Sequence, residues 1–398
     1  MDKKLAIHGG IPVRNQVLPY GRQFIDEEDI KAVVDTLKSS YLTCGPQIDE
    51  FEKRVAEYVG AKYAVAVNSG TAALHSACFA AGINVGDEVI TTPITFAASA
   101  NCVLYMGGNP VFADIQPETY NIDPFEIEKM ITPKTKAIIP VDFTGEPVNL
   151  DAIADIAKRH GLIVIEDAAH ALGAEYRGKR IGSISDMTIF SFHPVKHITT
   201  GEGGMITTNN PEYYEKLRAF RTHGITRNED KLTMNEGPWY YEMQDLGYNY
   251  RITDIQASLG ITQLSKLQEF LKRRREIISI YNNEFSKIDG IKIKKQIEGV
   301  SSAGHLYILN LEPEKLGGDR KQIFEALKAE GIGVNVHYIP VYLHPYYKKL
   351  GFKKGLCPEA EKLYENIISI PLFYSMTDED INDVVNAVKK VIDYYRKV

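Results

Sequence analysis

Residues 150–170 read LDAIADIAKRHGLIVIEDAAH, and the order of their chemistry sets the fold class. Apolar Leu150, Ile153 and Ala157 recur at helical spacing until Gly161 stops the run, and a stretch rich in branched apolar residues then closes on the carboxylate of Asp167. A helix that feeds a buried strand is one step of a βαβ pattern. The same alternation extends outward from about residue 60 to 210. Strands are predicted at 63–67, 87–92, 109–114, 135–141, 162–167, 187–192 and 204–208, with helices between them. Seven such strands predict a large, doubly wound, mostly parallel sheet. Residues 251–285 read as a long linking helix, and strands at 305–311 and 333–339 mixed with helices read as a smaller C-terminal α/β domain. The expected division is 1–250, an N-terminal arm and large domain, and 251–398, the linking helix and small domain.

Composition narrows the function classes. The 398 residues are 44% apolar and 25% charged, with a formal net charge of −6, so bulk electrostatics gives no reason to expect nucleic acid or an anionic membrane as partner. No apolar run approaches the length of about 20 residues that a membrane span needs, and the first residues, MDKKLAIHGGIPVRNQ, contain no apolar leader. The expectation is a cytoplasmic chain. Cys44, Cys78, Cys102 and Cys357 are scattered without a CxxC pair, which predicts neither a disulfide framework nor a metal site.

Ligands of open α/β sheets collect beyond the carboxyl ends of the strands. Beyond the first strand, VNSGTAALHSA (67–77) opens a helix, and the backbone amides and hydroxyls of Ser69, Gly70 and Thr71 can cradle a phosphate. Ser and Thr also cap helices routinely, so both readings stand. Asp167 needs a cation or several donors, because an isolated carboxylate at the end of so apolar a strand is costly. A structural salt bridge meets that need as well. Lys196, in SFHPVKHITTGEGG (191–204), follows another apolar strand, where desolvation lowers an amine's pKa and frees it as a nucleophile. A lone lysine reads as solvated surface; the conjunction of anion cradle, strand-end acid and lysine on one sheet is what pyridoxal phosphate requires. Phe96, in TTPITFAASAN (91–101), can cover a pyridine face or join the core. Gly201, Gly203 and Gly204 read as turn glycines with positive φ and no catalytic role.

Taken together, NSGTAAL, NPVFADI, VIEDAAHALGAEYRGKRIG, SFHPVKHITTGEGG, GYNYRITDIQASLG and GIGVNVHYIPVYLHPYY resemble the DegT/DnrJ/EryC1/StrS family of sugar aminotransferases over nearly the whole chain. The resemblance implies the type I, aspartate aminotransferase-like fold and a ping-pong transfer of an amino group from L-glutamate through pyridoxal phosphate. By position it implies Lys196 as the Schiff-base lysine and proton shuttle, Asp167 on the pyridine nitrogen, and His170 beside the cofactor's phenolate oxygen. It further implies Phe96 stacked on the ring and Ser69, Gly70, Thr71 and Ser191 at the phosphate. Asn249 would complete the phosphate site of a neighbouring subunit, so a homodimer with shared sites is expected. His337 and Tyr338 would meet the sugar nucleotide, although a packing role for His337 stays open.

The motifs are most similar to enzymes that aminate 4-keto UDP-sugars. ITTGEGG, HALGAEY and VHYIPVY point to the pseudaminic acid type, whose acceptor would be UDP-2-acetamido-2,6-dideoxy-β-L-arabino-hexos-4-ulose. The alternative within the family is the UDP-4-amino-4-deoxy-L-arabinose aminotransferase. Lys196 speaks against a deoxysugar dehydratase on the same scaffold, which typically has histidine there, although His197 is adjacent. Retention of Lys196 and Asp167 speaks against a non-catalytic regulatory homologue. NSGTAA lacks the GxGxxG of a dinucleotide-binding dehydrogenase.

Overall fold

The computed structural model describes residues 4–397. The central sheet contains β1 (Tyr63–Val67), β2 (Glu88–Thr91), β3 (Asn109–Phe112), β4 (Thr135–Ile139), β5 (Ile163–Asp167), β6 (Met187–Ser191) and β7 (Gly204–Thr208). Their spatial order is β1-β7-β6-β5-β4-β2-β3. Neighbours from β3 to β6 pair in parallel, and β7 runs antiparallel to both β6 and β1. The carboxyl ends of the other six strands therefore share one edge. All seven predicted strands form.

Side chains alternate faces along a strand, and both faces of this sheet are covered. Helices α1 (Glu27–Leu37) and α2 (Pro46–Val59) precede the sheet. In β1, Val65 and Val67 point into a core with α3 (Gly70–Ala80) and α4 (Ala98–Tyr105), whereas Ala64 and Ala66 join the opposite core with α2 and α5 (Leu150–His160). Each large aliphatic side chain buried there contributes about 1.5–3 kcal/mol relative to exposure. Helix α5 starts on an Asn149 cap, carries Lys158, Arg159 and His160 where the dipole favours cations, and ends on Gly161 at φ +65°.

A single helix ties the two halves of the chain together. Helix α6 (Asp254–Phe285) begins with a reciprocal capping box between Thr253 and Gln256. It buries Leu267, Phe270 and Leu271 in the large core, then Ile277, Tyr281 and Phe285 in a second one. That second core surrounds an antiparallel sheet of β8 (Ile291–Lys292), β9 (Tyr307–Leu311) and β10 (Ile367–Ile370), with α7 (Arg320–Ala329) and α8 (Asp378–Tyr395). Leu5 and Leu18 from the N-terminal arm pack into it as well.

The strand predicted at 333–339 does not form. Its neighbourhood makes two single bridges, Ile332 with Leu18 and Asn335 with Ser369, and the backbone then turns so that Asn335, Val336, His337 and Tyr338 line a cavity. β10, a strand not identified in the sequence, pairs antiparallel with β9 instead. Among the described residues no helix is long and apolar enough to cross a membrane.

Candidate active site

Beyond the carboxyl edge of the sheet lies a cavity of about 1050 Å³, walled on the far side by residues 305–306 and 335–338. Ser69, Gly70, Thr71, Phe96, Asp167, His170, Ser191, Lys196, His337 and Tyr338 all line it. Residues that are far apart in sequence converge because six strands end at one edge.

At one end of the cavity, β1 passes into α3. Ser69 is the N-cap residue, and its Oγ accepts from the Ala72 amide at 3.1 Å, so the plain capping role is realised. The first turn of α3 still opens toward the cavity through Gly70 and Thr71. A Cβ on Gly70 would lie 3.0 Å from Ser191 Cβ, which shows how tightly the two strand ends approach. Of the three glycines after Lys196, only Gly201 has positive φ, +79°. Gly203 and Gly204 correct the turn reading: they are required by close contact, and a Cβ on Gly204 would collide with the Ser69 carbonyl oxygen. Gly204 thus lets β7 support the turn that carries Ser69.

At the other end Asp167 is 4% exposed. Its Oδ2 accepts from Ser99 Oγ at 2.6 Å and its Oδ1 from the Ala169 amide at 3.1 Å. Burial raises its pKa, while these bonds and the charge of Lys196 pull the other way. Lys196 is half-buried and lines the cavity. Burial lowers its pKa to about 8, and Asp167 opposes that shift. Phe96 is 63% exposed, which excludes the core reading, and its ring lies 6.4 Å from that of Tyr338.

Histidines form much of the wall. His170 Nε2 and Tyr338 Oη are 3.2 Å apart, whereas His170 Nδ1 is buried without a partner. His337 Nδ1 is 2.8 Å from Ser369 Oγ, so His337 both packs and lines the cavity. Burial first, then the charge of Lys196, lowers the His337 pKa to about 4, and His170 is also held well below its usual range. Neutral rings add no cation beside the amine.

Ser99 and His305 are among the lining residues that were not singled out in the sequence. Ser99, on α4, orients Asp167. His305, just ahead of β9, packs its ring against that of His170, with centroids 4.2 Å apart and planes tilted by 41°, and carries a buried, unpartnered Nδ1. Arg274 of α6 holds that segment by donating to the carbonyls of Gly304, His305 and Leu372. Asn249 is exposed and does not line its own chain's cavity; its carbonyl accepts from Asn68 Nδ2 at 3.4 Å.

The arrangement offers amides and hydroxyls for an anion, a buried carboxyl lacking a cation, an open aromatic face, and an amine of lowered pKa. A flat cationic ring bearing a phosphate fits that set. The model of the DegT/DnrJ/EryC1/StrS aminotransferase family matches residues 23–389. The spore coat polysaccharide biosynthesis protein SpsC of Bacillus subtilis is 45% identical over 95% of this chain and 98% of its own. The UDP-4-amino-4,6-dideoxy-N-acetyl-β-L-altrosamine transaminase of Campylobacter jejuni is 41% identical over 96% and 99%. Among solved structures, Helicobacter pylori PseC, an aminotransferase involved in pseudoaminic acid biosynthesis, matches with a TM-score of 0.89 at 33% identity over 96% of this chain and 100% of that one. The pyridoxal phosphate form of Spr1654 from Streptococcus pneumoniae matches with a TM-score of 0.88 at 35% identity, over 95% and 99%.

Proposed function

Because this chain belongs to the DegT/DnrJ/EryC1/StrS aminotransferase family, we propose that it moves an amino group from L-glutamate to the 4-keto carbon of a UDP-linked sugar. The chain is a pyridoxal-phosphate-dependent aminotransferase with the type I fold. The observation that carries the proposal is the cavity itself, in which Lys196 and Asp167 meet between the Ser69–Thr71 turn and the 335–338 wall. The preferred acceptor is UDP-2-acetamido-2,6-dideoxy-β-L-arabino-hexos-4-ulose. Support for it comes from the activity in the name of the Campylobacter relative and the pathway named for PseC.

Pyridoxal phosphate supplies, when bound, the electron sink that lets a proton leave a carbon next to nitrogen. Ser69, Gly70, Thr71 and Ser191 would hold its phosphate, and Phe96 would stack on its ring. Asp167, oriented by Ser99 and the Ala169 amide, gains the cation that burial makes it want. Lys196, with a pKa of about 8, is partly neutral near physiological pH and serves as the base that removes and returns the substrate proton. His170, whose Nε2 is held by Tyr338, would serve the phenolate oxygen of the cofactor. His337 and Tyr338 contact the sugar nucleotide.

The working unit in this reading is a cytoplasmic homodimer in which Asn249 completes the partner's phosphate site. Its position outside its own cavity supports that assignment. The substrate is tested by half-reactions: the enzyme is converted to its amino form with glutamate, freed of donor, and given 4-keto UDP-sugars. Return of the yellow lysine-bound cofactor with the 2-acetamido-6-deoxy-hexosulose, and not with the pentosulose, is expected. The opposite preference moves the enzyme to aminoarabinose synthesis; no return with either removes the UDP-sugar assignment.

A further inference from the structure

Two carboxyls beside Asp167 take no part in the scheme above. Asp142 follows β4 and Glu166 lies within β5, and both side chains are fully buried. One oxygen of each is satisfied in the ordinary way. Asp142 Oδ1 accepts from the Val148 amide at 3.0 Å, and Glu166 Oε2 accepts from Ser185 Oγ at 2.9 Å and Thr188 Oγ1 at 3.0 Å. The other two oxygens, Asp142 Oδ2 and Glu166 Oε1, are buried with no donor to meet them. Val141 and Asp167 form a parallel bridge, so Asp142, one residue after it, and Glu166, one residue before it, turn to the opposite face of the two adjacent strands, where their carboxyls act on each other.

Ionised carboxylates only accept, so a hydrogen bond between two of them needs a proton. Burial also raises the pKa of both. The groups acting on the pair are the Asp167 carboxyl, which repels charge on Asp142, and the neutral donors Ser185, Thr188 and the Val148 amide. We propose that Asp142 and Glu166 share one proton between Asp142 Oδ2 and Glu166 Oε1, forming a clamp across β4 and β5 that positions Asp167. The pair then carries one negative charge instead of two, which spares Asp167 an additional like charge. Backbone bonds tie the clamp to that residue: the Asp142 amide donates to the Asp167 carbonyl at 3.1 Å, and the Asp167 amide donates to the Pro140 carbonyl at 2.9 Å. The consequence for catalysis rests on the role given to Asp167 above; the shared proton does not.

Infrared spectroscopy of the wild-type protein at neutral pH reads the proton directly. A protonated-carboxyl carbonyl stretch is expected, lost in both Asp142→Asn and Glu166→Gln, whose amides can donate to the remaining carboxylate. Its absence from the wild type, or its survival in both variants, overturns the proposal. Denaturation gives a second reading. Above the ordinary carboxylate range the folded wild type holds one proton that the unfolded chain has lost, so its stability falls as pH rises toward the pair's own pKa. The ratio of wild-type to Asp142→Asn unfolding constants should grow about tenfold per pH unit in that window, and a pH-independent ratio contradicts the shared proton. The positioning role is tested by retention of pyridoxal phosphate. Asp142→Leu, which cannot bond Glu166, is expected to weaken it at least tenfold, with Asp142→Asn restoring most of the loss; equal effects of the two variants contradict the clamp.

Discussion

A lysine amine in water keeps its proton to about pH 10.5, and the wall around Lys196 lowers that to about 8. Removing water from the ammonium outweighs what Asp167 restores. In the cofactor-free protein, acylation of Lys196 by a small amine-directed reagent, read by peptide mass, should be half-maximal near pH 8. Surface lysines should react in parallel with their titration near 10.4; Lys196 following them would contradict the account. Lys196 and Asp167 were legible because Asp167 closes a strand of an open sheet and Lys196 lies in the turn that follows another, where ligands gather. Ser99 was not, since a serine inside FAASAN has the same sequence signature whether or not it bonds a carboxylate. His305 opens the run HLYILNL, and its meaning depends on contact with His170, 135 residues earlier in the chain. Asp142 and Glu166 become a pair only when β4 and β5 lie side by side.

The elements of the large sheet were readable because their strands are apolar runs bounded by turns, several of them joined by helices of which Leu150–His160 is plainly amphipathic. The small sheet was harder. GVNVHYI alternates as a strand should, yet its consecutive residues 335–338 all line a cavity and only Asn335 bridges β10. β10 itself is a short apolar run, Ile367–Ile370, which periodicity cannot assign. Element packing also explains Gly204. Its missing Cβ lets β7 approach the turn into α3, so Gly204→Ala should displace the Ser69 carbonyl and with it the phosphate site. The expected outcome is a loss of about 1–3 kcal/mol in stability, as for overpacking, together with at least roughly tenfold weaker cofactor retention, measured by denaturation and by dialysis followed through absorbance. Unchanged values on both would mean that the contact is not tight.

The two cores of the chain meet along α6, and the cavity lies where the sheet edge faces the 305–306 and 335–338 segments, so substrate must contact both halves of the molecule. Family resemblance in the sequence already pointed to a shared dimer, whereas nothing in one chain's residues fixes which copy uses Asn249. If the partner does, mixing Lys196→Ala with Asn249→Ala protomers should restore transamination in verified heterodimers, because one of the two sites then carries neither substitution. Heterodimers without activity would return Asn249 to a local role. The proposed role of Lys196 requires one covalent attachment. Borohydride reduction of the pyridoxal phosphate-loaded enzyme, followed by digestion and mass spectrometry, should find the cofactor fixed to the peptide containing Lys196, and to no other lysine. Attachment elsewhere, or none at all, would contradict the central claim.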